Sequence, residues 1–423
     1  HTLLRGEKKR VSVRAGHGVG KCAYFKDLAI LANGTVIEFK ELIGKKFEVL
    51  SVDNDLNIIK TWAYASDNGI KPVWKITTEK GREITRTEFH PLWHRPCFFK
   101  AGRRPKWEEP LWVAVGKLKS GDLVCVPETL SLEGSSPIEE WKIKLLAYII
   151  GDGCVSSSSS VQFSQVPGPQ LNEVREIVNL IGLRLTKTDK NRCNYAIFGD
   201  KGKNNNYVLH WLREIGVMGR KSGDHKFPDC IWTLPNSQLS IFLSRLFSCD
   251  GWVCSRKSKE RCGGEIGYVS KSERLVRDVH LACLRLGIAG TIARQKKWWI
   301  YKGIKKSDFY WTWTIRDARS IIKFIDLIGV FGKEAACRKV REVVVKEFPT
   351  TQRNAAPGRY DPPWIGAEKR AYRWPFFGLP EGLKWEKIKS VEYIGEEPTV
   401  AIAVPKTHTY LTTFVEHNTF MSA

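Results

Sequence analysis

The chain has 423 residues, of which 42% are hydrophobic, and this is enough to form more than one buried core. Its 68 Lys and Arg residues outnumber its 45 Asp and Glu residues, and the resulting net charge of +23 favours a polyanionic partner such as nucleic acid. The sequence has neither an apolar run of about 18 residues nor a signal-peptide pattern, so we exclude a membrane-spanning chain and expect a cytoplasmic one.

Residues 22–130 consist of short β-type segments that are separated by Gly-rich turns. Asn33-Gly34 is the strongest hairpin signal among these turns. Four segments are predicted strands: 36–39, 46–50, 73–77 and 123–126. A basic and aromatic stretch covers 98–112, and the composition changes near 132–137, where we place a domain boundary.

The next region has the periodicity of an α/β domain. Helical patterns occupy 138–150, 170–181, 207–215, 236–248, 272–286 and 317–328. Strand-like runs lie between them at 195–198, 266–270 and 309–315. The order of helix, strands and helices occurs twice, which predicts an α/β unit with a pseudo-twofold repeat.

A segment rich in Pro, Gly, Arg and aromatic residues follows, and β-type sequence then returns near the end of the chain. The pattern therefore predicts a multi-domain protein in which one β domain is split by an α/β domain. The predicted segments are 1–21, 22–135, 136–345, 346–384, 385–418 and 419–423.

The two ends of the chain form a continuous motif when residues 22–418 are removed. The joined sequence is Ala-Gly-His-Gly-Val-Gly-Lys-Thr, a Gly-rich phosphate-binding loop. Its expected nucleotide-binding residues are Gly16, Gly18, Gly20, Lys21 and Thr419. Because this loop is interrupted between its Lys and its Thr, we interpret 22–418 as a removable insertion.

The residues at the two junctions can exchange acyl bonds. The Cys22 thiolate can attack the carbonyl of Lys21 to form a thioester. The hydroxyl of Thr419 can then attack this thioester and take the acyl group as an ester. Asn418 can cyclise onto its own carbonyl and cut the chain after itself. A final shift of the acyl group from oxygen to nitrogen would leave a normal peptide bond between Lys21 and Thr419.

Each of these steps requires a proton transfer, which histidine can perform. His90 can donate a proton to the scissile nitrogen, and Thr87 can orient the reacting groups. His408 and His417 flank the downstream junction. A single histidine of this kind is more often a structural residue, but its occurrence beside a split phosphate-binding loop favours a chemical role.

This set of residues resembles the splicing residues of inteins with the Hedgehog/intein fold. The resemblance covers about 22–130 and 385–418 and implies an all-β horseshoe. It implies catalytic roles for Cys22, Thr87, His90, His408, His417, Asn418 and Thr419. Ala401 stands where many inteins have Asp, so we expect His408 to contribute more to proton transfer.

Two acidic residues mark the α/β domain. Asp152 and Asp250 each follow an apolar helix and precede a Gly. One Asp-Gly pair is typical of a turn, but two copies in a basic domain favour a shared metal site. If the helices pack together, both carboxylates meet and can bind a divalent cation.

The two acidic motifs resemble those of LAGLIDADG homing endonucleases. The resemblance implies that Asp152 and Asp250 bind Mg²⁺ and that Lys226 acts at the active site, with Lys333 as a candidate lysine for the second repeat. Cations and aromatic residues between 294 and 306 are candidate contacts to double-stranded DNA, although a solvated charged hairpin explains them nearly as well.

The sequence therefore predicts a monomer that splices itself and cleaves double-stranded DNA at a specific site. Two alternatives remain open: a splicing protein with an inactive DNA-binding middle domain, and a stand-alone DNA endonuclease with a structural β domain. The 26 flanking residues resemble the nucleotide-binding segment of phage terminase large subunits, which are ATPases. This resemblance implies an intracellular phage or prokaryotic host protein.

Overall fold

The computed structural model describes residues 21–53, 55, 57–98, 106–155, 161–189, 193–199, 206–257, 262–301, 303–347, 379 and 382–417. These residues form two compact units. By their order in the sequence, we call 21–131, 379 and 382–417 the outer unit and the intervening 132–347 the inner unit. The transition between 131 and 132 lies near the predicted boundary at 135/136, and the finer division into six segments stays a prediction.

The first part of the outer unit contains eleven strands in its described residues. Strands are numbered along the chain: β1 (Cys22–Tyr24), β2 (Leu28–Ile30), β3 (Val36–Glu38), β4 (Lys46–Val52), β5 (Ile58–Thr78), β6 (Glu83–Thr87), β7 (Pro91–Arg95), β8 (Cys97–Phe98), β9 (Lys106–Trp107), β10 (Leu111–Ala114) and β11 (Leu123–Pro127). Short 3-10 helices cover Phe39–Leu42 and Val115–Lys117. The predicted hairpin at Asn33-Gly34 is confirmed, since Gly34 has a φ of 93° between β2 and β3.

The inner unit contains all eight α-helices of the described residues. Its elements are α1 (Glu140–Asp152), β12 (Gly153–Cys154), β13 (Val161–Ser164), α2 (Pro169–Leu180), β14 (Arg184–Lys187), β15 (Asn194–Phe198), α3 (Tyr207–Glu214), α4 (Asp229–Trp232), α5 (Asn236–Asp250), β16 (Gly251–Lys257), β17 (Cys262–Ser270), α6 (Glu273–Arg285), β18 (Thr291–Tyr301), β19 (Ile304–Ile315), α7 (Ala318–Leu327) and α8 (Glu334–Glu347). Six of these helices match predicted helices.

The predicted repeat is visible in the topology of the inner unit. One four-stranded sheet has the order β12-β13-β15-β14, and the other has the order β16-β17-β19-β18. In each repeat a long helix leads directly into the first strand of the sheet, as α1 does for β12 and α5 for β16. All strand pairs in both sheets are antiparallel.

The chain returns to the outer unit with β20 (Leu383–Ala403), β21 (Thr409–Leu411) and β22 (Val415–His417). Ten strands then form one sheet in the order β21-β22-β7-β11-β20-β1-β6-β5-β4, with β10 beside β7. The last residue of β11, Pro127, pairs with the first residue of β20, Leu383. The chain therefore leaves and re-enters the outer unit at neighbouring positions of one sheet.

Two of the differences from the sequence prediction have a clear physical reason. The predicted strand at 73–77 is part of the 21-residue strand β5, which continues through Gly69 and Pro72 because it pairs with the equally long β20. Helix α8 was missed because its buried residues, Cys337, Val340 and Val344, are separated by charged side chains. Their spacing is nevertheless helical and could have predicted the helix.

None of the helices within the described residues combines the length and the apolar character that a membrane crossing requires.

The ends of α1 and α5 approach closely because Gly151 lacks a side chain. A Cβ atom at this position would lie 2.6 Å from Cβ and 2.7 Å from Sγ of Cys249. Real Cβ atoms are not found this close to other heavy atoms. The next residues in the chain, Asp152 and Asp250, therefore lie at the same end of the helix pair.

We expect Gly151→Ala to lower the free energy of unfolding of the inner unit by about 1–3 kcal/mol, because the added methyl group overlaps Cys249. The cost of this overlap must exceed the stabilisation of ~1 kcal/mol that Ala provides over Gly within a helix. Thermal unfolding followed by circular dichroism measures the change. Gly223→Ala is the matched control, since no atom lies within 4 Å of a Cβ there. A Gly151→Ala chain as stable as this control would contradict the packing.

Candidate functional site

The upstream junction lies at the start of β1, inside the outer unit. Cys22 is fully buried and pairs with Ala401 of β20, while Ala23 pairs with Arg86 of β6. The backbone N–H of Cys22 donates a hydrogen bond of 2.9 Å to Oγ1 of Thr87. The structure thus places Thr87, the last residue of β6, on the nitrogen of the peptide bond that the proposed chemistry would break.

The Cys22 thiol is held by polar groups in a buried environment. Burial raises the pKa of the thiol, while a hydrogen bond from Asn68, the charge of Lys71 and a hydrogen bond with Thr399 oppose this shift. Nδ2 of Asn68 lies 2.6 Å from Sγ. Because the net shift is upward, the resting thiol is protonated and must lose its proton before it attacks. The side chain of Ala401 offers no polar group to the thiol, whereas the side-chain amide of Asn68 does.

A buried ion pair links the upstream strand β6 to the downstream strand β22. Nε of Arg86 donates to Oε2 of Glu416 at 2.5 Å, and its Nη2 donates to Oε1 at 2.7 Å, although the residues are 330 positions apart. Both side chains are fully buried. Although burial acts to raise the pKa of Glu416, the charge of Arg86 lowers it overall. Glu416 is therefore an ionised carboxylate that joins the two ends of the insertion.

His90 lies in the turn between β6 and β7 and contacts the same carboxylate. Its Nε2 is 3.1 Å from Oε2 of Glu416, and only 1% of its side chain is exposed. Burial lowers the pKa of His90, the hydrogen bond and charge of Glu416 raise it, and the charges of Arg86 and Lys21 lower it. The charge of Lys21, the residue before the upstream junction, thus acts on His90.

The downstream histidines face each other. The rings of His408 and His417 are nearly parallel, with centroids 6.5 Å apart, and the ring of Trp112 meets His417 edge-on at 5.1 Å. Burial and the charge of Lys21 lower the pKa of His408. Lys21 therefore acts electrostatically on one predicted catalytic histidine from each end of the insertion.

Five predicted site residues lie outside the described part of the chain: Gly16, Gly18, Gly20, Asn418 and Thr419. Their roles stay predictions. The described residues that flank them, Lys21 and His417, belong to the outer unit.

The second candidate site lies at the ends of α1 and α5. Partial loss of water raises the pKa of Asp250 to about 7, and the charge of Asp152 contributes to this shift. Partial burial also raises the pKa of Asp152, whose Oδ2 accepts a 2.8 Å hydrogen bond from Gln165. The charge of Asp152 acts on Asp250 because the two helix ends lie close together, and a shared role of the two acids stays a prediction.

Lys333, immediately before α8, is the lysine beside the two acids. Its Nζ donates to the carbonyl oxygen of Gly251 at 2.6 Å, and its charge lowers the pKa of both Asp152 and Asp250. The charge of Lys226 acts instead on the buried carboxylate of Asp278, where it opposes the rise in pKa that burial causes. The described contacts therefore support Lys333, and an active-site role for Lys226 stays a prediction.

The acid pair is suited to a hard divalent cation. Carboxylate oxygens are the ligands that Mg²⁺ prefers, and a bound cation would favour the ionised form of Asp250, whose pKa is raised by burial and by the charge of Asp152. Within the described ranges, no group of three or more His, Cys, Asp or Glu side chains is arranged to hold a metal ion. Asp152 and Asp250 would therefore hold such a cation together with water or substrate oxygens.

The β18–β19 hairpin carries exposed aromatic rings that are covered by cations. Nζ of Lys305 lies 4.5 Å from the ring centre of Trp298, and the guanidinium of Arg294 lies 4.2 Å from that of Phe309. Trp298 is 64% exposed and Phe309 is 45% exposed. Such a surface offers positive charge to phosphates and flat rings to bases.

Comparison with known proteins confirms the predicted domain in the middle of the chain: residues 237–329 match the LAGLIDADG-like domain family. The replicative DNA helicase DnaB of Rhodothermus marinus is 24% identical over 324 residues, which are 74% of this chain and 32% of the helicase. The replication factor C small subunit of Thermococcus kodakarensis is 25% identical over 361 residues, which are 81% of this chain and 37% of that protein.

The chain spans about a third of the length of these relatives. Because only 26 residues lie outside 22–418, the similarity to both proteins must lie mostly within 22–418. Two differently named proteins are thus similar to this chain mainly over the predicted insertion.

Two solved structures show lower similarity. A DnaB intein from Synechocystis sp. PCC 6803 is 19% identical, covers 25% of this chain and 68% of its own, and has a TM-score of 0.21. The LAGLIDADG meganuclease I-AabMI, bound to uncleaved DNA, is 14% identical, covers 49% of this chain and 90% of its own, and has a TM-score of 0.30.

We expect Asp250→Asn to stabilise the inner unit at about pH 8 but not at about pH 3. Because the pKa of Asp250 is higher in the folded chain than its value of about 3.9 in the unfolded chain, a protonated Asp250 stabilises the folded state. This stabilisation is complete below about pH 3.9 and is lost as the pH rises through about 7. Since Asp250 is open to solvent and water screens its charge, we expect a gain of about 1 kcal/mol. Thermal unfolding without divalent cations measures it. Exposed Asp224→Asn is the control, and equal effects of the two variants at both pH values would contradict the assignment.

Proposed function

We propose that this chain, an intein-like sequence that carries a LAGLIDADG-like domain, excises residues 22–418 and joins Lys21 to Thr419. One observation carries the proposal: groups from both ends of the insertion meet at one buried cluster. Thr87 binds the nitrogen of Cys22, and neighbouring His90 contacts Glu416, two residues before Asn418. A stand-alone endonuclease with a structural β domain has no need for this convergence.

In the first step the sulfur of Cys22 attacks the carbonyl carbon of Lys21. The bond from that carbon to the nitrogen of Cys22 breaks, a thioester forms, and the proton lost by the thiol is returned to the nitrogen through His90. Thr87 holds this nitrogen in place through its hydroxyl group. Asn68 stabilises the thiolate form of Cys22 because its amide donates to the sulfur.

In the later steps the hydroxyl oxygen of Thr419 attacks the thioester and releases the thiol of Cys22. The side-chain nitrogen of Asn418 then attacks its own carbonyl carbon and breaks the bond to Thr419, which frees the insertion with a cyclic imide at its end. His417 and His408 serve the proton transfers of this cleavage. The ester that remains rearranges to a peptide bond between Lys21 and Thr419.

We further propose that the inner unit cleaves double-stranded DNA. Asp152 and Asp250 would hold Mg²⁺, which stabilises charge on the phosphate oxygens when it is bound. The positive charge of Lys333 offsets part of the repulsion between the two carboxylates. Its position next to them makes it a stronger candidate for the active-site lysine than Lys226. The cation-covered rings of the β18–β19 hairpin would contact the DNA.

Retention of both acids favours an active nuclease over an inactive DNA-binding domain. The 26 flanking residues support an ATPase host with a phosphate-binding loop, of the terminase type, that completes its loop only after excision. We propose that the chain acts as a monomer in the cytoplasm of a prokaryotic or phage-infected cell.

We expect Cys22→Ala to abolish formation of the joined product, because no other group replaces the sulfur nucleophile. Incubation of the full chain followed by mass spectrometry detects the free insertion and the ligated flanks. Cys125→Ala is the matched control, since this thiol is also fully buried in the outer unit but lies on β11. Ligation by the Cys22→Ala chain at the control's rate would reject the splicing function.

We expect Asp152→Asn and Asp250→Asn each to reduce Mg²⁺-dependent DNA cleavage by at least about 100-fold, because each removes an ionised ligand. The substrate is DNA that encodes the joined flanks without the insertion, and gel electrophoresis measures cutting and binding separately. Asp224→Asn is the control. Binding without cutting by the unsubstituted chain would instead support the inactive DNA-binding alternative.

A further inference from the structure

The buried carboxylate of Glu416 is arranged to do more than connect two strands. We infer that Glu416 is a positioning residue that holds the ring of His90 in one orientation and one tautomer, so that thioester formation at the upstream junction depends on a residue from the downstream strand. This inference rests on the proposed splicing function and adds a residue to its first step.

The hydrogen bonds around Glu416 determine its role. Its two oxygens accept from Arg86, from the hydroxyl of Tyr410 at 3.0 Å and from the hydroxyl of Thr412. An ionised carboxylate can only accept hydrogen bonds. Because Nε2 of His90 lies 3.1 Å from Oε2 of this carboxylate, the negative charge favours the tautomer with its proton on Nε2, which leaves Nδ1 to gain and lose a proton during the reaction.

Glu416 also opposes the effect of burial on His90. Four groups face the ring: Glu416 of β22, Arg86 of β6, Lys21 before β1 and the ring of Tyr410 in β21. Of these charges, that of Glu416 raises the pKa of His90 and those of Arg86 and Lys21 lower it. The carboxylate thus favours the protonated imidazole that donates to the leaving nitrogen.

A purely structural role for the cluster makes a different prediction. Arg86 binds a second carboxylate, because its Nη1 donates to Oδ2 of Asp27 at 2.6 Å. Glu416→Gln and Asp27→Asn both remove one negative charge from beside Arg86, yet of these two carboxylates Glu416 is the one with a described contact to His90. If the carboxylates serve only to hold Arg86, the two substitutions have similar consequences.

The test isolates the first step in the full chain with Asn418→Ala, which blocks downstream cleavage. Dithiothreitol cleaves the thioester, and the rate of this cleavage is measured from about pH 5 to about pH 9. We expect Glu416→Gln to slow the reaction about 10-fold or more at pH 7 and to move the alkaline decline of the rate to lower pH, because His90 loses the charge that favours its protonated form. Asp27→Asn is expected to keep the pH profile of the parent chain.

A second measurement does not require that Glu416→Gln folds. In the Cys22→Ala, Asn418→Ala chain, the nitrogen-15 NMR shifts of His90 are expected to show a proton on Nε2 and none on Nδ1 in the neutral ring. A proton on Nδ1, or the same pH profile for Glu416→Gln and Asp27→Asn, would overturn the inference. If the unsubstituted chain forms no joined product, the splicing function itself fails; if it splices and Glu416→Gln splices equally fast, only the role of Glu416 fails.

Discussion

The contact between Arg86 and Glu416 is the interaction on which the outer unit depends most. Removal of water from two opposite charges is costly, and loss of either partner would leave an uncompensated buried charge, which typically costs about 3–5 kcal/mol. Arg86 pairs through its backbone with β1, and Glu416 belongs to the last described strand. The charge pair therefore joins β6 to the last described strand whenever this unit is folded, and Thr87 and His90, to which we assign roles in splicing, lie beside it.

The inner unit uses a different constraint, since its site is formed by the close approach of two helix ends. Gly151 allows α1 to contact Cys249 of α5, and each helix ends in an Asp followed by a Gly. The duplicated topology then places a sheet after each helix. Two similar halves thus supply one acid each, and Lys333, from the segment after the second sheet, adds a positive charge beside both acids.

The sequence predicted what local patterns encode. Periodicity located six helices, and the residue types at the junctions named Cys22, Thr87 and His90 as candidate site residues, whose roles stay predictions. Contacts between distant residues were not predictable in this way. Asn68 and the pair of Arg86 with Glu416 carry no local signal, because they meet their partners only through the pairing of strands that lie 46 and 330 positions apart. Lys333 was named only as a candidate, since neither motif includes it.

The pairing of Pro127 with Leu383 has a consequence for the history of the chain. The strands that contain these residues are hydrogen-bonded neighbours, so a turn of a few residues would span the gap between them. Gain or loss of everything in between changes the surface of the outer unit and leaves its sheet order intact. Gain or loss of the inner unit therefore requires no change in the strand pairing on which the outer unit depends.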